Sequence, residues 1–137
     1  MKNMSRGIRN HNPGNIRWGD DWQGLVPGGS QHIDKSFCQF VSPEYGIRAM
    51  IKIIQNYNRK YGINTVSGII SRWAPHNENN TDAYISHVCK DAKVARDQVV
   101  DVFNKEFMTK LIKSIITMEN GSQPYSDSVI DKAFSLL

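Results

Sequence analysis

The sequence predicts an α+β fold that is mostly α-helical, formed as a single domain over residues 1–137 with a small β-hairpin near the N-terminus. Apolar residues recur at helical spacing in several segments after residue 42. A stretch at 10–34 is dense in Gly, Asn, Asp and Pro and contains short β-compatible pieces. The length of 137 residues suits one domain and allows a hydrophobic core without disulfide bonds.

Short extended pieces predict the β-hairpin. Asn15–Trp18 and Trp22–Leu25 carry aromatic and branched side chains between turn residues, which is the pattern of two short strands joined by a loop. Phe37–Val41 is another short extended piece. We therefore expect the β-structure to lie before residue 42.

Capping residues and apolar periodicity predict the helices. Ser42-Pro43-Glu44 supplies an N-cap, a first-turn proline and a first-turn acid. The first predicted helix begins at this cap, runs to about Tyr57 and is closed by Gly62, and the second runs from Thr65 to Trp73. A third is capped by Asn80 or Thr81, and a short fourth lies within 94–102. The last two predicted helices span 104–119 and 126–137.

Charge and composition restrict the partners. A formal net charge of +4 with a pI near 9.1 favours an anionic partner. The basic residues are scattered singly and match no nucleic-acid motif, so nucleic acid is not expected. No apolar stretch approaches the ~20 residues of a membrane span, and the N-terminus lacks the apolar core of a signal peptide. We expect synthesis in the cytoplasm and no membrane insertion.

No metal or cofactor is predicted. The four histidines form no pair at metal-ligand spacing. Cys38 and Cys89 also lack such spacing and are most simply two core or near-core thiols, although a disulfide between them stays open.

Glu119 is the main candidate for chemistry. It continues an apolar stripe with steps of four residues along the 104–119 helix, and Asn120-Gly121 then ends that helix. Partial burial and the negative end of the helix dipole both disfavour a charged carboxylate there. A carboxyl group kept protonated near neutral pH suits a general acid. The alternative is a Glu that only caps or salt-bridges the helix end.

Most of the chain resembles a known family. The matching segments are 6–17, 22–24, 37–40, 42–50, 64–66, 72–75, 77–81, 84–85, 118–121 and 124–126. Together they resemble phage and prophage proteins related to lysozymes, over about residues 6–134. The resemblance implies a monomeric peptidoglycan glycosidase that acts on the bacterial cell wall, in phage lysis or as part of a virion. Members are often described only as phage structural proteins, so a non-catalytic virion or wall-binding module is the alternative.

A weaker resemblance concerns glucosaminidases, goose-type lysozymes and lytic transglycosylases. These enzymes have a Glu at a helix end followed by a hairpin with a Gly-Asn-Ile type element and a Trp-x-Gly. Here Gly14-Asn15-Ile16 and Trp22-Gln23-Gly24 come first, and Glu119 comes last. The order predicts a circularly permuted lysozyme-like domain, which requires Asn15 to lie beside Glu119.

The resemblance assigns further site residues. Glycosidases use a proton donor and commonly a second carboxylate. Glu119 is the donor candidate, and the candidates for the second group are Asp20, Asp21 and Glu78, the last of which could hold a water or a sugar. Thr81 is a candidate to order the attacking water. Candidate glycan-binding residues are Asn15, Asn80, Tyr84, Gln123 and Tyr125, although Asn80 and Thr81 are equally good helix caps and Tyr84 suits a core. The sequence is compatible with hydrolysis or transglycosylation, and with cleavage after either sugar.

Overall fold

A computed structural model of the chain describes residues 4–29, 34–75 and 80–137. Within these ranges the secondary structure is helical, with no β-strand. The helices are α1 (Arg6–Arg9), α2 (Pro43–Tyr61), α3 (Val66–Trp73), α4 (Thr81–Ala92), α5 (Lys105–Asn120) and α6 (Asp127–Ser135).

The predicted β-hairpin and the α+β class are wrong. Residues 15–25 and 37–41 form isolated bridges, such as those pairing Arg17 with Phe37 and Leu25 with Phe40, without continuing into strands. Isolated backbone hydrogen bonds do join these segments, for example from the Cys38 amide to the Ile16 carbonyl, and the buried Asn12 side chain bonds backbone groups of the same two residues. Its Oδ1 accepts from the Ile16 amide, and its Nδ2 donates to the carbonyls of Ile16 and Cys38.

Helices α3 and α4 begin at the predicted caps, and α6 begins where the sequence predicted the last helix to start. Thr65 accepts a hydrogen bond from the Gly68 amide at the start of α3, and Ser126 accepts one from the Val129 amide at the start of α6. Asn80 accepts from the Ala83 amide at the start of α4. These side-chain oxygens satisfy backbone donors that have no partner within the helix.

The predicted short helix within 94–102 is also wrong, because this segment is irregular. Its backbone groups bond elsewhere: the Val100 amide donates to the Asn64 carbonyl, and Gln55 Nε2 donates to the Val102 carbonyl. Val100 and Val102 are buried, so long-range packing prevails over a helix of low intrinsic propensity.

The chain divides into two compact units, Met1–Lys52 with Ile116–Leu137 and Ile53–Ile115. Buried apolar residues of the first unit are Ile16, Cys38, Phe40, Ile47, Ala49, Met50, Ile51, Ile116, Ile130 and Ala133. In the second unit α3 packs against α4, and the buried stripe of α5 there consists of Met108, Leu111, Ile112 and Ile115. The assignment of 1–137 to one domain stays a prediction. Among the described residues, every helix is too short or too polar to cross a membrane.

Candidate functional site

Glu119 lies in the last turn of α5, in the first unit, one residue before the helix ends. Its side chain is half-buried. Gly121 follows with φ +76°, the left-handed conformation that the sequence predicted for the helix stop. The chain therefore leaves the helix one residue after Glu119.

Asn15 contacts the Glu119 carboxyl group directly. Its Nδ2 donates a hydrogen bond of 3.0 Å to Glu119 Oε1. Asn15 itself has φ +52°, a left-handed conformation that asparagine tolerates better than most residues. Its amide donates to the Asn12 carbonyl at 3.0 Å, closing a tight turn. This turn carries the Asn15 side chain to the end of α5.

Asn120 joins the same turn to the end of α5. Its Nδ2 donates to the carbonyl of Pro13 at 2.8 Å and to that of Ile116 at 3.0 Å. Its Oδ1 accepts a hydrogen bond of 2.6 Å from Ser5 Oγ. The residue next to Glu119 thus binds both the turn that carries Asn15 and the residue that caps α1.

Gly7 of α1 packs closely against these asparagines. A Cβ atom at Gly7 would lie 2.5 Å from Asn120 Oδ1, 2.8 Å from the Asn12 carbonyl oxygen and 2.9 Å from Asn15 Oδ1. At these distances a side chain at Gly7 would require the asparagine side chains and the Asn12 carbonyl to shift. The short helix α1 therefore packs against Asn15 and Asn120, the neighbours of Glu119.

Asp34 fixes α1 in place. Its carboxylate receives two hydrogen bonds from Arg6, at 2.7 and 2.8 Å, and one from Asn10 Nδ2 at 2.9 Å. The amides of Ser36 and Phe37 also donate to it. The Arg6 guanidinium and these donors hold the pKa of Asp34 well below its usual range despite its burial. This carboxylate therefore has a structural role and is unavailable as the second catalytic carboxylate.

Gln123 and Tyr125 follow α5 in the same unit. Gln123 Oε1 accepts from the Tyr125 amide and its Nε2 donates to the Tyr125 carbonyl, which clamps the segment. The Tyr125 hydroxyl is buried and has no hydrogen-bond partner among the described residues. Burial raises the pKa of Tyr125 to about 12.

The other predicted site residues belong to the second unit or lie outside the described ranges. Asn80 caps α4, and the buried Thr81 hydroxyl donates to the Ala74 carbonyl. Tyr84 is buried in the core. Asn80 and Thr81 thus make hydrogen bonds that stabilise the fold, and Tyr84 contributes to the hydrophobic core. Glu78 lies outside the described residues, and the roles assigned to all four stay predictions.

Comparison with known proteins identifies a phage relative. No family model matches the chain. Protein P5 of Pseudoalteromonas phage PM2 is 40% identical over 141 aligned positions, which cover 98% of this chain and 82% of that protein. The chain belongs to the Protein P5 family. The name Protein P5 states no activity. Membership of this family therefore associates the chain with phages, and any activity has to be inferred from its residues.

In this member of the P5 family, the remaining acids of the first unit offer few candidates for a second carboxylate. Asp20 and Asp21 are both exposed. The described residues contain no group of three or more metal-ligating side chains. Both Cys38 and Cys89 are free thiols. Glu119, by contrast, is half-buried and accepts a hydrogen bond from Asn15.

Asn120 and Gly7 are parts of the site that the sequence pattern does not indicate. The pattern at Asn120 indicates only a helix stop, yet its side chain bonds the Pro13 carbonyl and the Ser5 hydroxyl. The position of an asparagine directly after the candidate acid was the available signal. At Gly7 the sequence offers no such signal, because only the three-dimensional structure brings this residue close to residues 12, 15 and 120.

Proposed function

We propose that this P5-family protein is a glycosidase that cleaves the glycan strand of bacterial peptidoglycan, with Glu119 as the general acid. The observation that carries the proposal is the Glu119 carboxyl group itself, half-buried at a helix end and held by the Asn15 side chain. The amide donor comes from 104 positions away in sequence, so this contact depends on the tertiary fold and not on the helix alone. The extended resemblance to phage proteins related to lysozymes supports the same chemistry.

The reaction begins with proton transfer from the Glu119 carboxyl group to the oxygen of the glycosidic bond. The bond between that oxygen and the anomeric carbon breaks, and its electron pair stays with the leaving oxygen. Water then adds to the anomeric carbon in hydrolysis, or a hydroxyl of the same sugar adds in transglycosylation. In either case the attacking group returns a proton to the Glu119 carboxylate, which acts as the base in that step.

Net charge favours approach to this substrate. The chain has a formal charge of +4, and a cationic protein concentrates at an anionic cell wall. We expect a monomer that acts on the wall during phage lysis or entry, with no cofactor. The exposed Asp20 and Asp21 and the predicted Glu78 remain the candidates for the second carboxylate.

Purified peptidoglycan provides the test. The unaltered protein should release soluble fragments, and a folded Glu119→Gln variant should release none beyond background. Mass analysis distinguishes the chemistry, because reducing ends indicate hydrolysis and anhydro ends indicate transglycosylation. If the unaltered protein releases nothing where a known muramidase works, glycosidase activity is refuted, and sedimentation with the wall would then indicate a non-catalytic binding module.

A further inference from the structure

We infer that a row of cations at the C-terminal end of α2 binds the carboxylate groups of the peptides in peptidoglycan. The cationic row consists of Arg59, Lys60 and Arg72, which are all exposed and all belong to the second unit. Glu119 belongs to the first unit, so the row is a separate binding surface. The inference rests on the peptidoglycan substrate proposed above and is independent of the catalytic role of Glu119.

Aromatic rings orient both arginines of the row. Arg72 Cζ lies 4.0 Å from the ring centre of Tyr61 and 5.5 Å from that of Tyr57. Arg59 Cζ lies 4.9 Å from the ring centre of Phe103. A guanidinium group stacked on a ring keeps its planar fork of N–H groups available for a bidentate bond to a carboxylate. The stacking also orders the two side chains before a partner binds, which lowers the entropic cost of binding.

Helix geometry places Lys60 between the two arginines. Successive residues of an α-helix are about 100° apart around its axis. Arg59 and Tyr61 therefore lie on opposite sides of α2, and Lys60 projects between them. Because Arg72 stacks on Tyr61, the order across the helix end is Arg59, Lys60, Arg72. The row spans on the order of 10 Å, the width of a helix and the length of about three extended residues of a peptide.

The cationic row is not neutralised by acids of its own surroundings. The segment 53–73 contains the three cations and no Asp or Glu. None of the three forms an ion pair with a carboxylate of the described residues, whereas Arg96 in the same unit pairs with Asp82 at 2.9 Å. Arg59 donates one hydrogen bond of 3.3 Å to Asn56 Oδ1, which leaves most of its N–H groups available. The row thus presents positive charge to an anionic partner.

The aromatic stacking favours small separate anions over a nucleic acid or a lipid surface. Nucleic-acid bases stack on open aromatic faces, and membrane-binding surfaces insert bare apolar side chains. Tyr61 and Phe103 are 56% and 49% exposed, but a guanidinium group covers one face of each ring. A short row also offers few contacts to the continuous phosphate backbone of a duplex. Carboxylates spaced along the wall peptides match the row in charge and in extent.

Sedimentation with insoluble peptidoglycan measures this binding. The wall is purified free of phosphate polymers, and a carbodiimide with ammonia converts the carboxylates of one portion into neutral amides. All proteins carry Glu119→Gln, so that cleavage does not remove the wall, and thermal unfolding confirms that each is folded. Arg59→Gln with Arg72→Gln removes the two guanidinium groups. Lys90→Gln with Lys93→Gln is the matched control, because it removes the same charge from exposed positions of the second unit.

We expect the dissociation constant for untreated wall to rise on the order of 10-fold when both arginines are replaced by glutamine, because two exposed ionic contacts are lost. The lysine control should bind almost as well as the parent protein. The amidated wall should bind little of any of the proteins, and added salt should weaken binding to the untreated wall. Replacing both arginines by lysine should restore only part of the affinity, since lysine keeps the charge but lacks the planar fork.

Equal weakening in the glutamine double variant and the lysine control would overturn the inference, because net charge alone would then explain binding. Equal binding to amidated and untreated wall, or full affinity with lysine in place of both arginines, would overturn it as well. So would tighter binding to duplex DNA or to anionic vesicles that depends on the same arginines.

Fragment release by the chain with Glu119 intact reports separately on the glycosidase function. An inactive protein that still binds the wall through Arg59 and Arg72 would refute the glycosidase function and support the cationic row. An active protein whose binding does not depend on these arginines would refute the row and leave the glycosidase function intact.

Discussion

Asn15 and Glu119, 104 positions apart in sequence, meet through a hydrogen bond of 3.0 Å from the Asn15 amide to the Glu119 carboxyl group. The contact depends on a turn rather than on a β-hairpin, and the bond from the Asn15 amide to the Asn12 carbonyl closes that turn. The turn is secured at Pro13 by Asn120, the residue beside Glu119. The geometry of the candidate acid is thus determined by three asparagines.

Gly7→Ala should disturb the site. The added Cβ would meet a backbone carbonyl at 2.8 Å and two asparagine side-chain oxygens that are held in place. We expect a loss of about 1–3 kcal/mol in the free energy of unfolding, which is typical of overpacking, and reduced fragment release as Asn15 is displaced. Urea unfolding and the peptidoglycan assay provide the measurements.

Gly68→Ala is the matched control. Its Cβ would meet chiefly a methyl group of Ile63, in the second unit, and alanine favours the helix interior more than glycine does. Its activity should stay at the wild-type level. Equal effects of the two substitutions would contradict a specific role of Gly7 in the site.

The helices could be predicted from the sequence because their signals are local. The cap at Thr65, the start of the last helix at Ser126 and the stop at Gly121 lie where the sequence predicted them. The sequence wrongly predicted a hairpin and a helix within 94–102, because the structure of these segments depends on distant residues. The Asn12 side chain bonds the Cys38 carbonyl, and the Gln55 side chain bonds the Val102 carbonyl, and no pattern within the segments indicates these bonds.

The site was predictable only in part. Glu119 is indicated by apolar periodicity, whereas its contact with Asn15 is formed through a turn and not through the hairpin that the sequence predicted. The role of Asn120 and the close approach of Gly7 depend on contacts across more than one hundred positions. Such contacts arise from tertiary packing, so composition and periodicity carry no trace of them.

Asp34→Asn should destabilise the first unit. It weakens the paired hydrogen bonds from Arg6 and the bonds from two backbone amides to a buried carboxylate. We expect a loss of about 2 kcal/mol in the free energy of unfolding near neutral pH, the size found for hydrogen bonds to charged groups. Asp97→Asn, at an exposed position, is the control and should have little effect.

The effect of Asp34 should depend on pH. Arg6 holds the pKa of Asp34 below its usual range, so the carboxylate stabilises the fold fully above the unfolded value of about 3.9. This contribution is lost as the pH falls toward the folded-state pKa. Urea unfolding should therefore show a constant gap between wild type and Asp34→Asn from about pH 7 to 5, narrowing below about pH 4. A difference in the free energy of unfolding that widens at acidic pH would contradict a stabilising role of the Asp34 carboxylate.

Cys38 should react slowly in the folded protein. Burial raises the pKa of Cys38 to about 11, and only the thiolate is nucleophilic. Cys89 is only half-buried, so iodoacetamide at about pH 8 should label Cys89 first and Cys38 only in denaturant. Mass spectrometry of labelled peptides measures this order. Rapid labelling of Cys38 in the native protein, or a disulfide between the two cysteines, would contradict it.

Tyr125→Phe should leave the fold as stable as before or raise the free energy of unfolding by up to about 1 kcal/mol. The reason is that the Tyr125 hydroxyl is buried without a partner among the described residues, so its removal relieves an unsatisfied group. Thermal and urea unfolding measure the effect. A clear loss of stability would show that the hydroxyl has a partner, and a higher KM would assign it to glycan binding.

The most direct test of the central claim compares Glu119→Gln with Glu106→Gln. Both residues lie on α5, but Glu106 is exposed in its first turn and Glu119 is half-buried in its last. Initial rates of fragment release from purified peptidoglycan would be measured for both variants and wild type, each confirmed as folded. The proposed mechanism predicts near-complete loss of activity in Glu119→Gln and a normal rate in Glu106→Gln. Equal rates in all three proteins would show that Glu119 is not the catalytic acid.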